Sequence, residues 1–325
     1  MATEHHYRQR GHSRARIGAN NNQTDTMDKR TNAPGASLLD YIKGAPQILL
    51  PGHLLSGLMH RFTRIEAAFL RIPFTRWFAR KFKIDMEEAV NTDPANFRDF
   101  NSFFTRALKS DARPICEGEN TIASPVDGHV SQGGGINDGS IFQAKGRAFS
   151  LFELLGGSDT LTEEFEGGDF LNIYLSPQDY HRIHMPITGT LREMHYVPGR
   201  LFSVSPATVR AIPQLFARNE RVISIFDTEA GPMAMIKVGA IFVSSTETVW
   251  HGEIGPRGPQ PWSKSYEGKE AVTLNKGDEM GRFNMGSTVI LLFANGKTKW
   301  LPDFTNHQHP TRMGEQIGHR VEARS

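Results

Sequence analysis

The sequence predicts an α+β protein: a predominantly antiparallel β core preceded by an N-terminal amphipathic helical region. Three observations carry that expectation. Apolar residues recur at helical spacing through the first third of the chain, after a polar leader. Beyond residue 110 the texture changes to short strand-like runs. Two of those runs, Val222-Ile223-Ser224-Ile225-Phe226 and Ala234-Met235-Ile236-Lys237-Val238, flank a Glu-Ala-Gly-Pro connection, the pattern of a hairpin.

Four segments follow from this reading. Residues 1–36 form a polar tail rich in Asn, Arg, His and Gly, expected to be disordered. The tail faintly resembles an organelle transit peptide, and Met27 is an alternative start. Residues 37–100 form the amphipathic helices, residues 101–305 the β-rich domain, and residues 306–325 a second polar tail.

Within the helical region, Ser37 is placed to cap a helix that begins at Leu38. Phe62, Ile65, Phe69 and Ile72 continue at helical spacing, and Pro73 is expected to separate two helices. Arg61, Arg64, Arg71, Arg76, Arg80, Lys81 and Lys83 are set against one acid, Glu66, with Trp77, Phe78 and Phe82 among them. Such a segment suits either an interfacial helix on an anionic membrane or a helix packed on the domain with a solvated basic face. Phe97, Phe100, Phe103 and Phe104 suggest one more helix, capped near Asp93. In the β region, Ile241-Phe242-Val243 and Val289 to Phe293 read as buried strands, and residues 255–265 as a Gly/Pro loop.

With 325 residues the chain can bury a full core in one or two domains, and its net charge of +2 does not mark a nucleic-acid binder. One cysteine, Cys116, excludes an intramolecular disulfide framework and a cysteine-rich zinc site. No apolar run is long enough to span a bilayer, and no secretory signal peptide is visible.

Four segments carry candidate chemistry. Met285-Gly286-Ser287-Thr288 runs directly into the apolar strand, so a hydroxyl follows a glycine able to accept distorted dihedrals. That suits attack of a serine on its own backbone, and equally a plain turn. Ser124-Pro125-Val126-Asp127-Gly128 places a carboxylate at a tight turn. His181 and His184, three apart, could act as bases, bind a metal or simply pack. Arg200, Arg218 and Arg221 could bind phosphate or carboxylate, or make surface salt bridges.

Taken together these segments resemble the prokaryotic-type phosphatidylserine decarboxylases over roughly residues 38–300. The resemblance rests on Ser-Pro-Val-Asp-Gly at 124–128, Leu-Ser-Pro-Gln-Asp-Tyr-His-Arg-Ile-His-Met-Pro at 175–186 and Tyr-Val-Pro-Gly-Arg-Leu-Phe-Ser-Val at 196–204. Leu-Phe-Ala-Arg-Asn-Glu-Arg-Val at 215–222, Phe-Asp-Thr-Glu-Ala-Gly-Pro-Met at 226–233, Glu-Thr-Val-Trp at 247–250 and Met-Gly-Arg-Phe-Asn-Met-Gly-Ser-Thr-Val at 280–289 extend it. Where the family usually has Leu before Gly-Ser-Thr, this chain has Met285, a conservative change in apolar bulk.

The resemblance implies a self-processing enzyme. Asp127, His184 and Ser287 would form a charge-relay triad that cleaves the chain between Gly286 and Ser287, leaving a β chain (1–286) and an α chain (287–325). Ser287 would become a covalent pyruvoyl group, the cofactor, through which phosphatidylserine is decarboxylated by way of a Schiff base to phosphatidylethanolamine and CO2. His181 would position or protonate the substrate, and no metal is required. The lipid substrate favours the interfacial reading of residues 37–83, with an anionic membrane surface as partner. The expected location is peripheral, on the cytoplasmic face of a bacterial inner membrane, with an organelle membrane as the other possibility; the resemblance is compatible with a homodimer but the sequence leaves the oligomeric state open. Competing readings are a pyruvoyl decarboxylase of a soluble amino acid, a non-catalytic membrane-surface β scaffold, and a zinc hydrolase built on His181 and His184.

Overall fold

The computed structural model describes residues 35–321, apart from 49, 145–146, 243–244, 256–259, 286 and 306–307. The expected N-terminal tail and Gly286 therefore lie outside the described residues. The α+β expectation holds: short helices cluster at the N-terminal end and antiparallel sheets make up the rest.

The largest sheet runs in the order Trp262–Ser265, Gly189–Val197, Arg221–Thr228, Gly231–Val238, Thr288–Phe293, Asp169–Tyr174, Gly128–Gly135 and His309–Thr311. The strand Val272–Leu274 also pairs with Gly189–Val197. At its centre, Thr288–Phe293 bonds to Gly231–Val238 on one side and Asp169–Tyr174 on the other. Its alternating side chains enter two different cores. Val289, Leu291 and Phe293 join one cluster with Ile183, Met280 and Phe283, while Ile290 and Leu292 join another with Phe216, Ile223 and Ile236. A strand buried on both faces reads as a continuous apolar run, which is what Val289 to Phe293 shows. The expected hairpin is present as Arg221–Thr228 and Gly231–Val238.

A four-stranded sheet, Gly252–Ile254, Thr246–Thr248, Glu279–Phe283 and Arg182–His184, packs its Ile183, Met280 and Phe283 against the first core. It also sets the strand of the histidine motif beside Glu279–Phe283, the strand that precedes Ser287. Gly128, which opens its strand at φ +159°, lies so close to the Tyr174 carbonyl that a Cβ there would collide with it.

The N-terminal helices are Leu38–Gly44, Gly52–Phe62 and Ala68–Lys81, followed by the short helix Phe100–Phe104. Ser37 caps the first as expected, its Oγ accepting from the Asp40 N–H at 3.2 Å. Phe78, Phe100, Phe103 and Phe104 are buried together, with Phe74, Phe82 and Phe97 packed against them. The outer side of the same region exposes Leu38, Leu39, Ile42, Phe69, Leu70 and Trp77.

Several expectations are corrected. Pro73 does not separate two helices; it lies inside Ala68–Lys81, in its second turn. The break falls earlier, after Phe62, where Thr63 ends the helix. Asp93 caps only the 3-10 turn Pro94–Asn96, whereas Asp99, in a capping box with Ser102, starts Phe100–Phe104. That helix straddles the boundary expected between residues 100 and 101. Ile241 and Phe242 form a turn rather than a strand, with Phe242 at φ +68°; Val243 is outside the described residues. Within the expected loop 255–265, Trp262–Ser265 is a strand paired with Gly189–Val197. The expected C-terminal tail carries two strands, His309–Thr311 and Gln316–Arg320, and buries Ile317. Their one-sided burial leaves too few apolar residues for the pattern to register in the sequence.

Candidate active site

The central strand delivers Ser287 to the interior. Its carbonyl accepts the Leu175 N–H at 3.0 Å, which extends the pairing of Thr288 with Tyr174 by one step. Ser287 is fully buried, and its hydroxyl has no partner among the described residues; the Thr288 hydroxyl is in the same condition. A buried hydroxyl without a hydrogen bond is costly, so such atoms point to a task outside the fold itself.

The residues just before Ser287 are held under tension. Met285 has φ +127°, a region that L side chains rarely occupy. Its side chain touches both the aromatic cluster of the N-terminal helices and the second core. Asn284 is pinned further: its side chain donates to Ser245 Oγ at 2.6 Å and accepts from Asn101 Nδ2 at 3.0 Å. Asn101 in turn donates its backbone N–H to the Thr63 carbonyl at 2.9 Å. The helical region and the strained segment are thus joined by a short chain of hydrogen bonds.

His184 ends the strand Arg182–His184, and His181 stands immediately before it. His181 is fully buried, its ring 4.0 Å from that of Phe104. Its Nδ1–H donates to the Asp179 carbonyl at 2.8 Å, which leaves Nε2 as a lone pair with no partner among the described residues. Burial pushes this imidazole down to about 3, so it is neutral at physiological pH. Its backbone carbonyl accepts from Phe283 N–H at 3.0 Å, beside the segment that leads to Ser287.

His184 is also mostly buried, and that desolvation holds it below the ordinary histidine range. Its Nδ1–H donates to the Gly277 carbonyl at 2.8 Å, and Nε2 accepts from the Tyr180 hydroxyl at 3.1 Å. Asp127 lies nearby but bonds elsewhere. Arg113 clamps its carboxylate at 2.6–3.1 Å, and the Met313 N–H donates to it at 2.8 Å. Arg113 reaches on to Glu88 at 2.8 Å. Asp127 and His184 therefore share a neighbourhood without a direct hydrogen bond between them.

Next to Thr288 opens a cavity of about 300 Å³. Val130, Tyr174, Val204, Val209 and Phe216 supply its apolar wall, and Ser176 and Gln178 part of its polar one. Arg210 also lines it.

A family model described as phosphatidylserine decarboxylase matches residues 100–319, and a second, described as PSD, matches residues 42–83. The chain belongs to the phosphatidylserine decarboxylase family. A phosphatidylserine decarboxylase proenzyme of Shewanella frigidimarina is 52% identical over 280 residues, covering 85% of this chain and 97% of the relative. One from Nitrosococcus oceani is 52% identical over 287 residues, covering 88% and 94%. One from Shewanella loihica is 50% identical over 280 residues, covering 85% and 98%.

Within this decarboxylase fold, His181 is bonded through its carbonyl to Phe283, four residues before Ser287, and Asp127 lies close enough to His184 for their charges to interact. The three arginines singled out earlier do not join them. Arg221 is buried, tied to the carbonyls of Leu154, Ala217 and Asn219. Arg200 and Arg218 lie over the Phe202 ring at 5.6 and 5.0 Å. Sequence reading missed Asn101, Arg113, Tyr180, Arg210, Ser245 and Asn284. Tyr180, inside the histidine motif, and Asn284, three residues before Ser287, were within reach; the others become neighbours only through long-range packing. A pyruvoyl group derived from Ser287 fits this site: it would replace an unpartnered buried hydroxyl, among the unpartnered Thr288 hydroxyl and the cavity wall. Among the described residues no cluster of three His, Cys, Asp or Glu side chains is arranged to hold a metal, and the two imidazoles are committed to different partners.

Proposed function

We propose that this chain cleaves itself between Gly286 and Ser287 and, with the pyruvoyl group so formed, converts phosphatidylserine to phosphatidylethanolamine and CO2. The observation that carries the reading is the buried, unpartnered Ser287 hydroxyl, placed after a strained Met285 at the head of a strand locked on both sides. Strained backbone ahead of a buried hydroxyl favours attack of that hydroxyl on the carbonyl before it.

Asp127, His184 and Ser287 carry the cleavage. In the uncut chain the His184 Nε2 lone pair, occupied by the Tyr180 hydroxyl, is the basic nitrogen. Exchanging that partner for Ser287 Oγ lets it take the hydroxyl proton. Asp127, paired with Arg113, stabilises the imidazolium that results. The pyruvoyl group, once made, supplies the electron-accepting carbonyl that ordinary side chains lack. His181 then serves the lipid reaction: its free Nε2 lone pair accepts a hydrogen bond from the substrate amine and can pass a proton on.

The enzyme works at a membrane surface. Among the described residues no helix is long and apolar enough to cross a bilayer. Leu38, Leu39, Ile42, Phe69 and Trp77 are exposed, with Arg61, Arg76 and Arg80 in the same region. Such a surface inserts shallowly among anionic headgroups. The test is direct: purified protein given phosphatidylserine vesicles should release CO2 and phosphatidylethanolamine, and the Ser287→Ala protein should release neither. Equal activity of the two proteins would refute the proposal.

A further inference from the structure

The cavity beside Thr288 has one feature that the cleavage chemistry does not use. Among the described residues that line it there is no carboxylate, and the one permanent cation is Arg210. Apart from His129, the rest of the lining is apolar or uncharged polar. A cavity with a fixed positive charge, an apolar wall and Thr288, the neighbour of Ser287, in its lining suits an anionic amphiphile.

Arg210 is held firmly in place. It stands on the helix Pro206–Ala211, whose Val209 carbonyl, with that of Ile212, accepts from the buried Gln143 amide at 2.7 Å. Its guanidinium is already engaged by a carboxylate: Nε and Nη2 donate to the two oxygens of Asp40 at 3.0 and 2.8 Å. Asp40 lies on the first helix, between the exposed Leu39 and Tyr41. The Arg210 fork and its neighbours hold that carboxylate far below the ordinary range, so the pairing persists at physiological pH. The pair thus joins the cavity wall, through Arg210, to the helix that exposes Leu38, Leu39 and Ile42.

We infer that Arg210 is the binding residue for the substrate's phosphodiester, and that Asp40 is a stand-in anion which the lipid must displace. This rests on the lipid reading of the site. The scissile carboxylate is the poorer match for Arg210: pairing it would stabilise the ground state of a group that must leave uncharged. The phosphodiester keeps its charge throughout and accepts two parallel N–H bonds as a carboxylate does. Displacing Asp40 also unties the first helix at one of its fastenings, so lipid capture and helix seating are coupled.

The experiment uses processed enzyme, on phosphatidylserine vesicles and with inorganic phosphate as a soluble probe. Arg210→Gln should raise the vesicle KM about 10- to 100-fold, the loss expected for a charge-assisted pair, and abolish phosphate inhibition. Asp40→Asn should act in the opposite direction, lowering KM and tightening phosphate binding measured by calorimetry. The double variant should behave as Arg210→Gln alone. Melting temperature and self-cleavage on a gel report folding separately. A merely structural ion pair predicts that both single variants lose together, and that result would overturn the inference. So would phosphate binding that responds to the variants while the vesicle KM does not, which would mark a site for free phosphate. Failure of the wild-type enzyme to decarboxylate vesicles would instead refute the functional reading, independently of these comparisons.

Discussion

Lys237 gives a quantitative prediction about stability. It lies on Gly231–Val238, paired with Val289 on one side and Val222 on the other, and is fully buried. Its amine has no hydrogen-bond partner among the described residues and sits 5.2 Å from the Trp250 ring centroid. Burial pushes its pKa down from 10.5 to about 7. Each unit is worth about 1.4 kcal/mol, so forcing the charge into this site costs about 5 kcal/mol. The Trp250 face lies within cation–π reach of the ammonium form but does not cancel this cost. Lys237→Met removes that burden while keeping the unbranched bulk.

The sign follows from proton uptake. Below about pH 7 both folded and unfolded chains hold the proton, and the penalty is fully present. Between about 7 and 10.5 the unfolded chain binds more protons, so wild-type stability rises with pH and the penalty fades. The variant should therefore melt about 7 °C higher than wild type at pH 6 in scanning calorimetry, with the gap nearly closed by pH 10. A variant that melts lower, or a gap that does not change with pH, would refute the reasoning.

Three further outcomes are expected. His181→Ala should still appear as two chains on a gel yet lose about 10²- to 10⁴-fold in decarboxylation rate; a failure to cleave would move His181 into the processing step. Met285→Gly relieves about 1–3 kcal/mol of backbone strain and should slow cleavage about tenfold or more in a pulse-chase assay, whereas Met285→Leu should cleave normally. Cleavage of the glycine variant at the wild-type rate would show that strain contributes nothing. Replacing Leu38, Leu39 and Ile42 together by Gln should weaken sedimentation with anionic vesicles at least tenfold, since each buried aliphatic side chain is worth about 1.5–3 kcal/mol; unchanged binding would rule out these residues as an anchor.

Much of this architecture was legible from local pattern. The strand Thr288–Phe293 announced itself because burial on both faces leaves an unbroken apolar run. The hairpin around Glu229 and Ala230 and the Ser37 cap depend on neighbours in sequence, and both were read correctly. Pro73 misled because proline is easily read as a helix end, while this helix had begun only five residues before it. Asp93 and Asp99 offered two similar caps, and only the capping box with Ser102 decides between them. At the site, the residues with reactive side chains stood out, but their supports did not. Arg113 reaches Asp127, and Asn101 reaches Asn284, across gaps that only the folded chain closes. Nor does composition reveal that Asp127 and His184 are satisfied by separate partners in the uncut chain.

Intact-mass measurement of the purified protein tests the central claim most directly. The account predicts two species, the smaller spanning residues 287–325 with a keto group in place of its amino terminus. A single uncut chain with an unmodified Ser287, in a preparation that decarboxylates phosphatidylserine at full rate, would contradict it.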